Sequence, residues 1–94
     1  MAIGRERAEV IGLQAVAWLA ANEELLPIFQ GSTGASEDDF RRGLSDPVFQ
    51  GSVLDFLLMD DAWIMAFCDT QSLGYELLMQ VRAMLPGGEQ VHWT

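Results

Sequence analysis

The sequence predicts an all-α fold: a compact bundle of about six helices built from two similar three-helix units. Three observations point there. No segment alternates apolar and polar residues long enough to make a strand. Helix starts and stops recur along the chain, with Asn22, Ser36, Asp46-Pro47 and Asp60 as starts and Gly31-Ser32-Thr33-Gly34 and Pro86-Gly87-Gly88 as stops. The sequence also lands on itself when it is shifted so that Val10 lies on Val48.

The elements follow in order. The first helix spans residues 5–21. Val10, Ile11, Leu13, Val16, Trp18, Leu19 and the alanines cover nearly its whole circumference. That pattern predicts a central helix enclosed by others. Asn22 caps a second helix, with Glu23 and Glu24 in the first turn, where the helix dipole favours carboxylates. This helix carries Leu25, Leu26, Ile28 and Phe29, and Pro27 fits only near its start because an interior proline removes a hydrogen bond. Ser36 and Asp39 stand at capping-box spacing and open a short third helix, with Phe40 and Leu44 pointing inward. Asp46-Pro47 starts the fourth helix, which runs to Met59. Phe49, Val53, Leu54, Phe56, Leu57 and Leu58 spread over most of its surface, so it too reads as central. Asp60 caps the fifth helix, with Trp63, Ile64, Met65 and Phe67. Residues 71–74 form a turn, and a sixth helix spans 75–85. Residues 89–94 are a tail.

In the repeat, residues 10–44 correspond to 48–85. Val16 meets Leu54, Trp18 meets Phe56, Leu19 meets Leu57, Asn22 meets Asp60, Leu26 meets Ile64 and Phe29 meets Phe67. After a small insertion, Arg41 meets Arg82 and Leu44 meets Leu85. The two largely apolar helices, one per unit, are expected to pack against each other in the middle of a single domain, 1–94.

Composition narrows the function classes. Half of the 94 residues are apolar, enough for one core. The net charge of −9 argues against nucleic acid, whose phosphates it would repel, and against an anionic membrane surface. Its default role is to keep an apolar small protein soluble. The longest apolar stretch, from Val10 to Ala21, is interrupted by Gly12 and Gln14 and is too short to cross a bilayer. The N-terminal residues carry no cleavage signal. One cysteine, Cys68, forbids an intrachain disulfide and makes the reducing cytoplasm the expected compartment.

No residue is assigned a catalytic, cofactor-binding or metal-binding role, and no cofactor is expected. The acidic ladder and glycine of an EF-hand are missing around Asp46, Asp60 and Asp61. One histidine and one cysteine are too few for a zinc site without carboxylates. There is no lysine for a phosphate-binding Walker loop. Gly31-Ser32-Thr33-Gly34 has the outline of a nucleic-acid-binding GxxG loop but lacks basic neighbours. Cys68 is read as a small buried hydrophobe, since a reactive thiol wants positive neighbours and Asp69 is adjacent. His92 has no evident nucleophile or acid partner. Asp55 falls on the least apolar side of its helix. Asp60-Asp61 and Glu37-Asp38-Asp39 are helix-start carboxylates. Arg41 and Arg42 are expected to pair with that acidic run; a site for an acidic partner is the sharper alternative. Met59, Met65, Met79 and Met84 are expected to fill the core, with an adaptable partner-binding face as the alternative.

Taken together, Ala17-Trp18-Leu19-Ala20-Ala21, Glu24-Leu25-Leu26, Asp46-Pro47, Val53-Leu54-Asp55-Phe56-Leu57-Leu58, Ala66-Phe67-Cys68 and Leu85-Pro86-Gly87-Gly88 resemble the family catalogued as domain of unknown function 3572. The resemblance covers about residues 9–94. It implies a bacterial cytoplasmic helical protein and transfers no site residues. The second turn departs from the family's Thr-Gly-Leu wording: Gln71-Ser72-Leu73 stands there, against Thr33-Gly34-Ala35 in the first unit.

The reading that results is a small cytoplasmic, non-enzymatic interaction module that binds another protein, or a second copy of itself as a homodimer, through a helical face. The alternative is a small enzyme or ligand-binding domain that uses carboxylates near the join of the two units. It requires a polar-lined pocket holding Asp55, Asp61 or Cys68. Val91 and Trp93 are expected to fold back over the helices and seal part of the core, since a tryptophan can bury about 150–250 Å².

Overall fold

Local capping chemistry sets most helix boundaries. The computed structural model describes residues 4–85, and within them the chain forms α1 (Arg5–Ala20), α2 (Leu26–Thr33), α3 (Glu37–Gly43), α4 (Pro47–Leu57), α5 (Asp61–Gln71) and α6 (Tyr75–Met84), with no strand. Ser36 Oγ accepts from Asp39 N (3.1 Å) and Asp39 Oδ2 accepts from Ser36 N (2.9 Å), the reciprocal box its spacing predicts. Asp46 Oδ1 accepts from Val48 N across Pro47 (3.0 Å), and Asp60 Oδ1 accepts from Ala62 N (2.8 Å). Asn22 behaves differently from the expectation. Its Oδ1 accepts from Glu24 N (3.0 Å) and Leu25 N (2.9 Å), but it caps a turn, and α2 begins only at Leu26. Pro27 sits in the first turn of α2, where its missing N–H leaves no partner unsatisfied.

The two middle helices make the core. The α1–α4 contact is the most extensive of any helix pair, and α3 and α6 each lie against both. At the crossing, Gly12 of α1 faces Gln50 of α4: a Cβ on residue 12 would stand 2.8 Å from Gln50 Oε1 and 3.0 Å from Gln50 Cβ. Gln50 is only 3% exposed; its Nε2 donates to Leu44 O at 3.0 Å, and its Oε1 has no conventional hydrogen-bond partner. Around this crossing Ala8, Ala15, Val16, Leu19, Val53, Leu54 and Leu57 are fully buried.

The expectation that α1 is enclosed on all sides is corrected here. Val10 is 54% and Leu13 42% exposed, and Ala17 and Ala20 also face solvent. An all-round apolar pattern predicts a central helix, but six short helices do not supply enough neighbours to surround it. α4 comes closer: its exposed positions are Val48, Ser52 and Asp55.

Aromatic rings seal the bundle away from the crossing. Phe29 of α2 meets Phe40 (5.5 Å between centroids), Phe49 (6.0 Å) and Phe56 (5.2 Å) edge to face. Phe56 in turn stacks on Trp63 of α5 at 4.6 Å. On the other side Trp18 of α1 meets Phe67 of α5 edge to face at 5.6 Å. Such pairs contribute roughly 0.5–1.5 kcal/mol each beyond the area they bury. Several features recur in the register that lays Val10 on Val48: the capping oxygens of Asn22 and Asp60, the left-handed residues Gly34 (φ 76°) and Ser72 (φ 56°) that end α2 and α5, and the ring pairs Phe29–Phe56 and Phe67–Trp18. The tail with Val91, His92 and Trp93 lies outside the described residues.

Gly12→Ala is expected to destabilise the fold by about 1–2 kcal/mol, because overpacking outweighs the better helix propensity of alanine. In a double-mutant cycle with Gln50→Ala, chemical denaturation should show the pair less damaging than the sum of the single changes. Additivity would mean that the crossing is looser than described.

Candidate functional site

Among the described residues, exposed apolar side chains border grooves on two faces, and Ile28 and Val48 are exposed outside them. On the first, α1, α2 and α3 enclose a groove of about 440 Å³. Its floor is Ala17, Ala20 and Ala21, its walls include Leu26, Phe40 and Leu44, and Glu37 and Arg41 reach its edge. Leu44 also borders a second depression of about 430 Å³ with Val10, Leu13 and Pro47, rimmed by Glu6 and Glu9. The two share Leu44 and run along α1 from Glu6 to Ala21, about 22 Å at the helical rise.

The reason for the first groove is visible at the corresponding positions of α4. Where α1 and its end carry Ala17, Ala20 and Ala21, α4 and its end carry Asp55, Leu58 and Met59. Asp55 is engaged: Arg82 Nε donates to Oδ1 (2.6 Å) and Nη2 to Oδ2 (3.0 Å), a two-pronged clamp between α4 and α6. Leu58 packs against the core. The first half of the chain has no such filling, and Arg41, the counterpart of Arg82, pairs instead with Asp38 on its own helix at 3.0 Å. Arg42 likewise pairs with Asp39 at 2.8 Å. Asp39 is held below the usual carboxylate range, chiefly by the Ser36 backbone N–H and then by the Ser36 hydroxyl and the guanidinium of Arg42.

The second face lies between α5 and α6. Ile64, Met65, Tyr75 and Met79 line a shallow groove of about 360 Å³ edged by Asp61 and Glu76. Met65 is 44% and Met79 65% exposed, and Met59 is exposed as well. Of the four methionines expected in the core, only Met84 packs against it. Tyr75 Oη donates to Asp69 Oδ1 at 3.1 Å, and that bond, with burial and the Asp69 charge adding to it, raises the phenol above its ordinary value.

The residues on which an enzymatic reading depends have three different surroundings. Asp55 is tied up by Arg82. Asp61 edges the methionine groove. Cys68 is fully buried, with Sγ 3.9 Å from Gly74 O. Burial first, and the neighbouring Asp69 charge second, push its thiol up, away from the nucleophilic thiolate. Among the described residues no group of three or more His, Cys, Asp or Glu side chains is placed to hold a metal ion. No described helix is long and apolar enough to cross a membrane.

The model of DUF3572, described as a protein of unknown function, matches residues 5–88. The chain belongs to this family. No curated protein and no solved structure matches it. The DUF3572 description carries no activity. Charged and sulfur-bearing residues stand out in the sequence as candidates, and Ala17, Ala20 and Ala21 do not. Their signal lies in the register that lays Val10 on Val48, where they fall as three small residues on Asp55, Leu58 and Met59.

Two titrations follow. Cys68 should react with an aromatic disulfide reagent about a hundredfold or more slowly in the native protein than in denaturant, because reaction requires local opening; comparable rates would place the thiol at the surface. Tyr75, the one tyrosine, should ionise above ordinary tyrosine when followed by ultraviolet absorbance, and Asp69→Ala should bring it back down. An unchanged titration in the variant would remove Asp69 as the cause.

Proposed function

We propose that this protein is a non-enzymatic interaction module, built from two copies of a three-helix unit, in which the first copy keeps an open groove that the second has filled. The observation that carries this reading is the alanine floor. Ala17, Ala20 and Ala21 stay in contact with water, whereas the corresponding positions of α4 and its end carry the bulkier Asp55, Leu58 and Met59. Exposed apolar surface of this kind marks a binding face. The two adjoining depressions, together about 22 Å along α1, suit an amphipathic helix of a partner protein with apolar anchors over the alanines. Arg41 at the edge favours a partner carboxylate there. A second copy is the weaker candidate, because each copy brings a charge of −9. The same charge supports a partner that is neither nucleic acid nor an anionic membrane. The free, buried Cys68 supports residence in a reducing compartment, and the family resemblance favours the bacterial cytoplasm.

Ala20→Leu tests the reading, because it fills the floor at an exposed position with the residue α4 carries. The melting temperature should hold. Proteins from source-cell extract retained by the immobilised wild-type protein should be captured about tenfold or more weakly by the variant. Equal retention by both, with the variant folded, would show that the groove does not bind.

A further inference from the structure

The groove between α5 and α6 differs from the first in its chemistry, and we infer that it is a second docking surface, for a basic amphipathic helix. Three observations support that occupant. The lining is adaptable apolar surface: Met65 and Met79 carry unbranched, polarizable side chains that adjust to varied anchors, with Ile64 beside them. The rim is acidic, with Asp61 and Glu76 at the edges and Asp69 beside Tyr75. No arginine among the described residues lines the groove, and Arg82, the one base on α5 and α6, is held by Asp55. The carboxylates that edge this groove therefore have no base on their own helices to answer them, unlike Asp38 and Asp39 on α3, which pair with Arg41 and Arg42.

Charge and apolar surface thus require complementary properties in one ligand. Lysines or arginines along its sides would meet Asp61 and Glu76, and apolar residues at helical spacing would settle on Met65 and Met79. The lining reaches over residues 61–65 of α5 and 75–79 of α6, roughly one turn of each, so the surface takes the anchors of a short helix. The field of a chain with net charge −9 would speed the approach of a cation and repel a second copy. The inference is independent of the alanine groove, which lies between other helices and has an arginine at its edge.

The test uses the full-length protein and two designed peptides with one leucine pattern, one with lysines on its polar face and the other with glutamates. Methyl resonances of Met65 and Met79 report on the site. The lysine peptide should shift them saturably, more weakly as salt rises, and the glutamate peptide should not. Met65→Gln/Met79→Gln should weaken binding about tenfold or more. Asp61→Asn/Glu76→Gln should weaken it several-fold and flatten the salt dependence. Ala20→Leu should leave it unchanged, which separates this surface from the first groove. All the substituted positions are at the surface or groove edge, and melting curves check that each variant is folded. The inference is overturned if both peptides bind alike, if the methionine double variant binds the lysine peptide as well as wild type does, or if the shifts fall on α1 and α3. It is overturned equally if sedimentation shows a dimer that Met65→Glu dissociates, since the face would then belong to a second copy.

Discussion

The closeness of α1 to α4 is the constraint on which the rest of the bundle depends. Gly12 lets Gln50 press against the α1 backbone, and a methyl group at position 12 would not fit without movement. Gln50 uses the proximity twice. Its Nε2 ties the α4 side chain to Leu44 O just past the end of α3, fixing the short connection between those helices. Its Oε1 faces the glycine and accepts no conventional hydrogen bond, and an unpaired buried acceptor costs about 1–3 kcal/mol. In the register that lays Val10 on Val48, residue 12 falls on residue 50. α3 and α6 each lie against both of the helices that cross there.

What α1 and α4 do on their outer sides separates them. α4 projects Asp55 onto the guanidinium of Arg82, so the later part of its outer surface is charged and tied to α6. Removing the carboxylate would leave a largely buried arginine, 13% exposed, short of its bidentate acceptor. α1 projects valine, leucine and alanines, and the neighbouring helices reach only part of that surface. A closed domain would hide it. Leaving it in water works against stability and solubility, and a net charge of −9 acts in the opposite sense through repulsion between copies.

The two uncovered faces are unlike in a way that fits two roles. The alanine groove is smooth, long and bordered by both signs of charge. The methionine groove is short, adaptable and bordered by carboxylates alone. Neither property follows from being an all-α bundle, which fixes no activity. Of the three groups an enzymatic reading would use, Asp55 is held in an ion pair and Cys68 is buried, while Asp61 stays exposed at the edge of the methionine groove.

The sequence by itself determined the helical class, the count and order of the helices, and most of their caps. Ser36 with Asp39, Asp46 with Pro47, and Asp60 act on backbone N–H groups two or three residues away, so their effect is contained within one turn of chain. Asn22 has the same chemistry but is followed by Pro27, and the turn between them pushed the start of α2 on to Leu26. The burial of Cys68 and the pairing of Arg41 and Arg42 were legible for the same local reasons. Only the tertiary structure decided which side of α1 is wet, which methionines escape the core, and that three alanines form the floor of a groove. A helix apolar on every side carries no polar stripe to say which face turns outward, and methionine is at home in either setting. That choice falls to the neighbours, through the number of helices that can fit around one axis and the side chains they bring to it.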